Sequence, residues 1–123
     1  MTGRALMAMA RIMIPRRRLE ELAPTALYDA KELARLCGWS SRQLQREFRR
    51  RLGRTPQAWL NERRIIASRE LLLSGTPVKV VAIELGFKQT SHFCRLFKSF
   101  SRMTPSEFVL MCVSNQVSSV AQR

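Results

Sequence analysis

The chain has 123 residues, 46% of them hydrophobic, with 22 Lys+Arg against 9 Asp+Glu for a formal charge of +13. That length suits one domain, or two very small ones sharing a helix, and the apolar fraction excludes a disordered basic tail. A charge so far from zero opposes compactness and calls for a polyanionic partner, nucleic acid ahead of an anionic membrane surface.

The opening stretch, "MTGRALMAMARIMIPRRR", has a short apolar run broken by Arg11 and followed by Arg16, Arg17 and Arg18. It is too short to span a bilayer, and its charges lie on both sides of the apolar run, unlike a secretory signal. Residues 1–26 are read as an N-terminal extension: an extra docking helix, an oligomer contact or the remnant of a longer protein. "DAKE", Asp29–Glu32, predicts a capping box with Glu32 reaching back to Asp29. The helix it opens carries Leu33, Ala34 and Cys37 on one face and stops at Gly38, a residue type that tolerates the left-handed conformation past a helix end.

A second box, "SSRQ" from Ser40 to Gln43, opens a helix that runs to about Leu52 and ends at Gly53. Thr55-Pro56 starts a third, with Thr as cap and Pro in the first turn, continuing to about Gly75. Thr76-Pro77 opens the next, carrying Val78, Val81, Ala82 and Leu85 and stopping at Gly86. Another follows from about Thr90 to Ser101, and Thr104–Glu107 is a third box before a last helix. The tail from residue 113 to 123 is polar and is expected to fray. With no alternating run and no hairpin turn, the fold is all-α.

The chain repeats itself. Ala34, Gly38 and Trp39 pair with Ala82, Gly86 and Phe87 at a shift of 48. Leu44, Arg46, Phe48, Arg49 and Thr55-Pro56 pair with Phe93, Arg95, Phe97, Lys98 and Thr104-Pro105 at a shift of 49. One extra residue therefore sits in the second turn. A short helix, a glycine corner and a longer helix make a helix-turn-helix unit. The alanine admits close approach of the two helices, and the aromatic after the glycine plugs the core beneath the corner. The expected organisation is a first unit over 27–54, a connecting helix over 55–75, a second unit over 76–112, and the tail.

On the 40–52 helix, Leu44, Phe48 and Leu52 form the apolar stripe, with Arg42, Gln45, Arg46 and Arg49 broadly opposite. In the second unit Phe93, Phe97 and Phe100 form the stripe, while Ser91, Cys94, Arg95 and Lys98 stand away from it. Arg binds guanine bidentately and Gln binds adenine likewise from a helix in the major groove, while cations further along meet phosphates. The connecting helix is on the order of 28 Å long at ~1.5 Å per residue. Adjacent major-groove segments on one duplex face are ~34 Å apart, which such a connector suits.

These residues resemble the DNA-binding domain of the AraC/XylS (arabinose-regulator) family of bacterial transcription factors. "AIELGFKQTSHFCRLFKSFSRMTPSEF", Ala82–Phe108, is similar to that family's signature, and Gly38–Arg64 fits the preceding half. The resemblance implies a bilobed, seven-helix domain of two homeodomain-like helix-turn-helix subdomains joined by a long central helix. Carried onto the matching positions, it implies base contacts at Arg42, Gln45 and Arg46, then at Thr90, Ser91, His92 and Arg95. Backbone contacts fall on Ser40, Arg49, Arg50, Gln89 and Lys98.

It also implies double-stranded DNA as partner, a monomer on its site, and transcription activation through RNA polymerase. The three widely spaced cysteines, read as reduced, lead us to expect a cytoplasmic chain, at the nucleoid. The chain departs from the pattern where a glycine is expected near Arg102, so a looser helix end is expected there. It departs again at Phe108-Val109, which replaces a Tyr-Arg. With 123 residues leaving no room for a ligand-sensing domain, the chain is expected to resemble the short stand-alone members.

The alternatives are a cationic binder of nucleic acid or membrane surfaces without sequence preference, and an enzyme. Some DNA-repair methyltransferases contain this domain type, but Cys37, Cys94 and Cys112 have no base placed beside them, and no triad, metal cluster or phosphate loop is visible. No catalysis, metal or cofactor is expected. The odd cysteine count with no CxxC pair, and a single histidine, His92, offer neither a disulfide framework nor a zinc site.

Overall fold

The computed structural model describes residues 14–121, with side chains as far as Ser114. The expectations for the opening apolar run lie largely outside the described residues. Among the described residues, seven helices follow in order: α1 (Arg16–Thr25), α2 (Ala30–Cys37), α3 (Ser41–Leu52), α4 (Pro56–Leu73), α5 (Val78–Glu84), α6 (Thr90–Ser101) and α7 (Pro105–Ala121). The described residues contain no strand. The chain divides into two compact units with the boundary inside α4, between Arg64 and Ile65.

In the first unit, α2 packs on α3 around Leu33, Ala34, Cys37, Leu44 and Phe48, all buried. Gly38 takes φ 71, which a side chain would strain, and its corner closes through Trp39 N–H donating to the Ala34 carbonyl at 2.9 Å. Trp39 is buried beneath that corner, and Phe48 meets Trp59 of α4 edge-on at 5.3 Å. Helix α1 packs on α2 and buries Leu19 and Ala23, so part of the N-terminal extension is a docked helix.

The second unit rebuilds the same corner. Gly86 has φ 81 and Phe87 N–H donates to the Ala82 carbonyl at 2.9 Å. An aromatic chain runs from Phe87 through Phe93 and Phe97 to Phe108 of α7, at centroid spacings of 5.3, 5.9 and 5.5 Å. Fully burying one such ring stabilises the fold by ~1.5–3 kcal/mol, before edge-to-face contacts are added.

The caps follow the sequence in three places. Ser40 and Gln43 close a reciprocal box, Thr104 and Glu107 close another, and Thr55 Oγ1 accepts from Ala58 N–H at 3.2 Å. Four expectations are corrected. Asp29 caps Glu32 N–H, but the Glu32 carboxylate turns to Arg35, which stands one turn on and offers a charged donor. Helix α5 begins at Val78 with Pro77 as its cap position, and the Thr76 hydroxyl faces Ser74 instead. Phe100 is 40% exposed, and Leu52 only half-buried, because the apolar stripe outlasts its cover at the last turn of each longer helix. The polar tail, finally, continues as helix to Ala121.

Candidate nucleic-acid interface

Helix α3 turns Leu44 and Phe48 inward, and that rotation sets everything else on it. Arg42, Gln45, Arg46 and Arg49 come out on the opposite side, all exposed and with no ion pair or hydrogen bond among the described residues. Arg42 stands in the first turn, where the helix dipole already presents positive charge and where an acidic residue would be preferred. A cation at that position works against the helix.

The remaining arginines of this stretch are held. Glu47 accepts from Arg50 at 2.8 Å and lies 3.2 Å from Arg51, and Arg54 pairs with Glu62. The Arg50 hydrogen bond holds the Glu47 carboxyl below its usual range against some desolvation, and the charges of Arg50 and Arg51 add to the effect. Arg51 also donates to the Ile14 carbonyl. Ser40 is exposed, and its oxygen accepts from Gln43 N–H at 3.1 Å, which leaves the hydroxyl hydrogen to donate outward.

Helix α6 presents Ser91, His92, Arg95 and Lys98 as exposed side chains, with Thr90 and Cys94 half-buried. Gln89 occupies the cap position and is exposed, but its side chain makes no cap hydrogen bond. The leading amides of α6 are thus left to an outside acceptor, in contrast to the closed box of α3. His92 rests edge-on against Phe87 at 5.3 Å, which orients the ring beside Arg95. Lys88, Gln89, His92 and Arg95 line one shallow groove of about 330 Å³.

Arg42, Gln45, Arg46 and Arg49 of the first unit and Ser91, His92, Arg95 and Lys98 of the second stand exposed on their longer helices. Ser40 and Gln89, by contrast, sit at the cap positions, Arg50 is paired with Glu47 and Thr90 is half-buried. Lys88 was missed, although the signal was present: it is the extra residue of the second turn. A polar hub was missed as well. The Tyr28 carbonyl accepts from Gln57 Nε2 at 3.0 Å and from buried Arg64 Nη2 at 2.9 Å, while Gln57 Oε1 accepts from Ala30 N–H at 3.1 Å. These bonds hold the loop before α2, where Leu27 and Tyr28 both take positive φ, at 50 and 56. Burial lowers the Arg64 pKa against the opposing pull of Asp29 and Tyr28. No sequence pattern announces a hub whose members are 29 and 36 residues apart.

The described residues hold no cluster of three or more potential metal ligands, and no described helix is long and apolar enough to cross a membrane. Burial raises the Cys37 pKa, with Arg18 opposing. That leaves Cys37 less reactive than an ordinary thiol.

Two short-helix, glycine-corner, long-helix units, each with a cationic outer side, define a helix-turn-helix protein of the nucleic-acid-binding class. Comparison with known proteins agrees, since a family model described as a helix-turn-helix domain matches residues 33–110. The chain belongs to the AraC-type helix-turn-helix family. It is 33% identical over 85 residues to the HTH-type transcriptional regulator RipA of Corynebacterium glutamicum, covering 69% of this chain and 26% of that one. It is 40% identical over 52 residues to the regulatory protein PocR of Salmonella typhimurium, covering 42% and 17%. The chain thus spans only a minor part of the curated relatives it matches.

Among solved structures, a DNA-binding transcriptional dual regulator from Escherichia coli K-12 superposes with a TM-score of 0.72 at 21% identity, covering 83% of this chain and 96% of that one. At that identity the likeness speaks for the fold. A probable AraC family transcriptional regulator from Rhodopseudomonas palustris gives a TM-score of 0.62 at 28% identity, covering 77% and 94%.

Proposed function

We propose that this chain is a sequence-specific DNA-binding transcription regulator that places α3 and α6 in successive major grooves of one duplex. Arg42, Gln45 and Arg46 read bases from the first unit, and Thr90, Ser91, His92 and Arg95 read them from the second. Ser40, Arg49, Gln89 and Lys98 hold phosphates, joined by Lys88, while Arg50, expected among them, stays paired with Glu47. One copy reads one asymmetric site, in the cytoplasm at the nucleoid, and activates transcription by recruiting RNA polymerase.

The observation that carries the reading is the pair of matched faces: an exposed cationic side on each longer helix, opposite a buried aromatic one. The similarity to transcriptional regulators such as RipA supports the regulatory part.

Competition tests it. A labelled duplex selected from a random pool should be displaced by itself far better than by unlabelled random duplex or by anionic vesicles. With some 6–10 phosphate contacts, affinity should fall by ~10³–10⁵ between about 50 and 200 mM salt. Equal displacement by random duplex would leave only a cationic surface binder. A reporter placed behind the selected site should rise with expression of the chain.

A further inference from the structure

Six arginines lie between Arg42 and Arg54, and the fold sorts them into two groups. Arg50 and Arg51 converge on Glu47, and Arg54 is held by Glu62. Arg42, Arg46 and Arg49 have no carboxylate partner among the described residues, and they share one side of α3 with Gln45. Spaced at i, i+4 and i+7, the three fall within an arc of about 60° at ~100° per residue. The corresponding side of α6 carries Ser91, Cys94, Arg95 and Lys98, with a single guanidinium. Leu96 stands where Glu47 stands in the first unit, and no ion pair lies among the described residues of the second unit.

The chemistry of these groups differs. A guanidinium forks onto the O6 and N7 atoms of guanine, and a Gln amide onto the N6 and N7 atoms of adenine. A lysine is a point charge suited to phosphate rather than to a base edge. Arg42 and Arg46 are separated by ~6 Å along the helix, about two base steps of ~3.4 Å.

We infer that the duplex this chain selects has two unequal halves, and that Glu47 is what keeps the richer half selective. The half beneath α3 holds two guanines about two base steps apart with an adenine beside them. The half beneath α6 holds one guanine, set by Arg95, with weaker preferences where Thr90, Ser91 and His92 reach. Glu47 acts as a positioning residue. By holding Arg50 and Arg51 it stops two more cations from gripping any phosphate, which would tighten binding to every sequence alike. The inference rests on the DNA-reading function proposed above.

The full chain tests it, with bound duplexes selected from a random pool at fixed salt. The enriched sequence should carry a guanine pair in one half and a single guanine in the other. Arg46→Ala should weaken the best duplex about 5- to 150-fold and abolish one guanine preference in the richer half. Arg46→Lys, which keeps the charge, should lose the same preference while retaining more affinity. Arg95→Ala should relax one base pair of the poorer half. Glu47→Gln should bind random duplex more tightly, with a salt slope steeper by up to ~1.8. If the half that relaxes on Arg46→Ala holds no guanine, or the two halves are equally demanding, the inference fails while sequence-specific reading stands. If Glu47→Gln leaves random-duplex binding unchanged, the role of Glu47 fails. No enrichment at all would remove the underlying reading as well.

Discussion

In the first unit α3 starts beneath a closed capping box and its surplus arginines are drawn onto Glu47. In the second, α6 starts with no side-chain cap, and a leucine stands at the matching position. The inner sides differ far less. Ala34 and Ala82, Trp39 and Phe87, Leu44 and Phe93, and Phe48 and Phe97 are all buried. A repeat diverges where packing permits, because close-packed interiors resist changes of volume while exposed positions away from caps change at little cost. The outer sides are therefore where the two units differ most.

The largest expected effects test the shared interior. Phe48→Ala and Phe93→Ala should each cost ~3–5 kcal/mol by denaturant unfolding. Phe100→Ala, at a position the repeat matches to Arg51, should cost well under half as much. Equal losses at Phe93 and Phe100 would contradict the burial difference between them. The caps come next. Ser40→Ala should cost ~0.5–2 kcal/mol, because it removes the acceptor for Gln43 N–H. Gln89→Ser should stabilise the second unit by supplying the acceptor it lacks, and an unchanged midpoint would show that the α6 amides are already satisfied.

The helix ends give a smaller effect. Arg102 occupies the position of Gly53 and takes the same left-handed conformation, φ 61 against 65. The helix stops cleanly there, with Arg102 N–H donating to the Lys98 carbonyl at 2.8 Å, so the looser end expected from the missing glycine is not seen. The cost appears as strain instead. Arg102→Gly should raise stability by about 0.5–1 kcal/mol, the left-handed penalty less the added unfolded-state entropy of glycine. A loss would show that the Arg102 side chain contributes more than its backbone costs.

The smallest effect concerns pH. Glu47 titrates below its unfolded value, so its contribution is present above about pH 4.5 and is lost as pH falls through the lower folded value. Glu47→Gln should remove that acid-dependent part of stability. Because Leu96 replaces Glu47 in the second unit, Leu96→Gln should leave the acid limb unaltered.

The repeat and the glycine corners were legible in the sequence because they are local and periodic. Apolar spacing placed Leu44, Phe48, Phe93 and Phe97 inside and Arg42, Arg46 and Arg95 outside. Four things were not legible. Periodicity does not show where a packing partner ends, hence Phe100. A capping motif does not show which of two nearby donors a carboxylate prefers, hence Glu32 turning to Arg35. Pairwise sorting of arginines by Glu47, and the long-range hub of Tyr28, Gln57 and Arg64, depend on side chains meeting in space.

The central claim is that both longer helices read one duplex. Methylation interference on the selected duplex tests it most directly, since it reports which guanine N7 atoms must remain free in the major groove. Two patches of interference on one face, about one helical turn apart, are the predicted result. Arg46→Ala should erase a guanine from one patch, and Arg95→Ala should erase the guanine of the other. A single patch that survives Arg95→Ala unchanged would contradict the account.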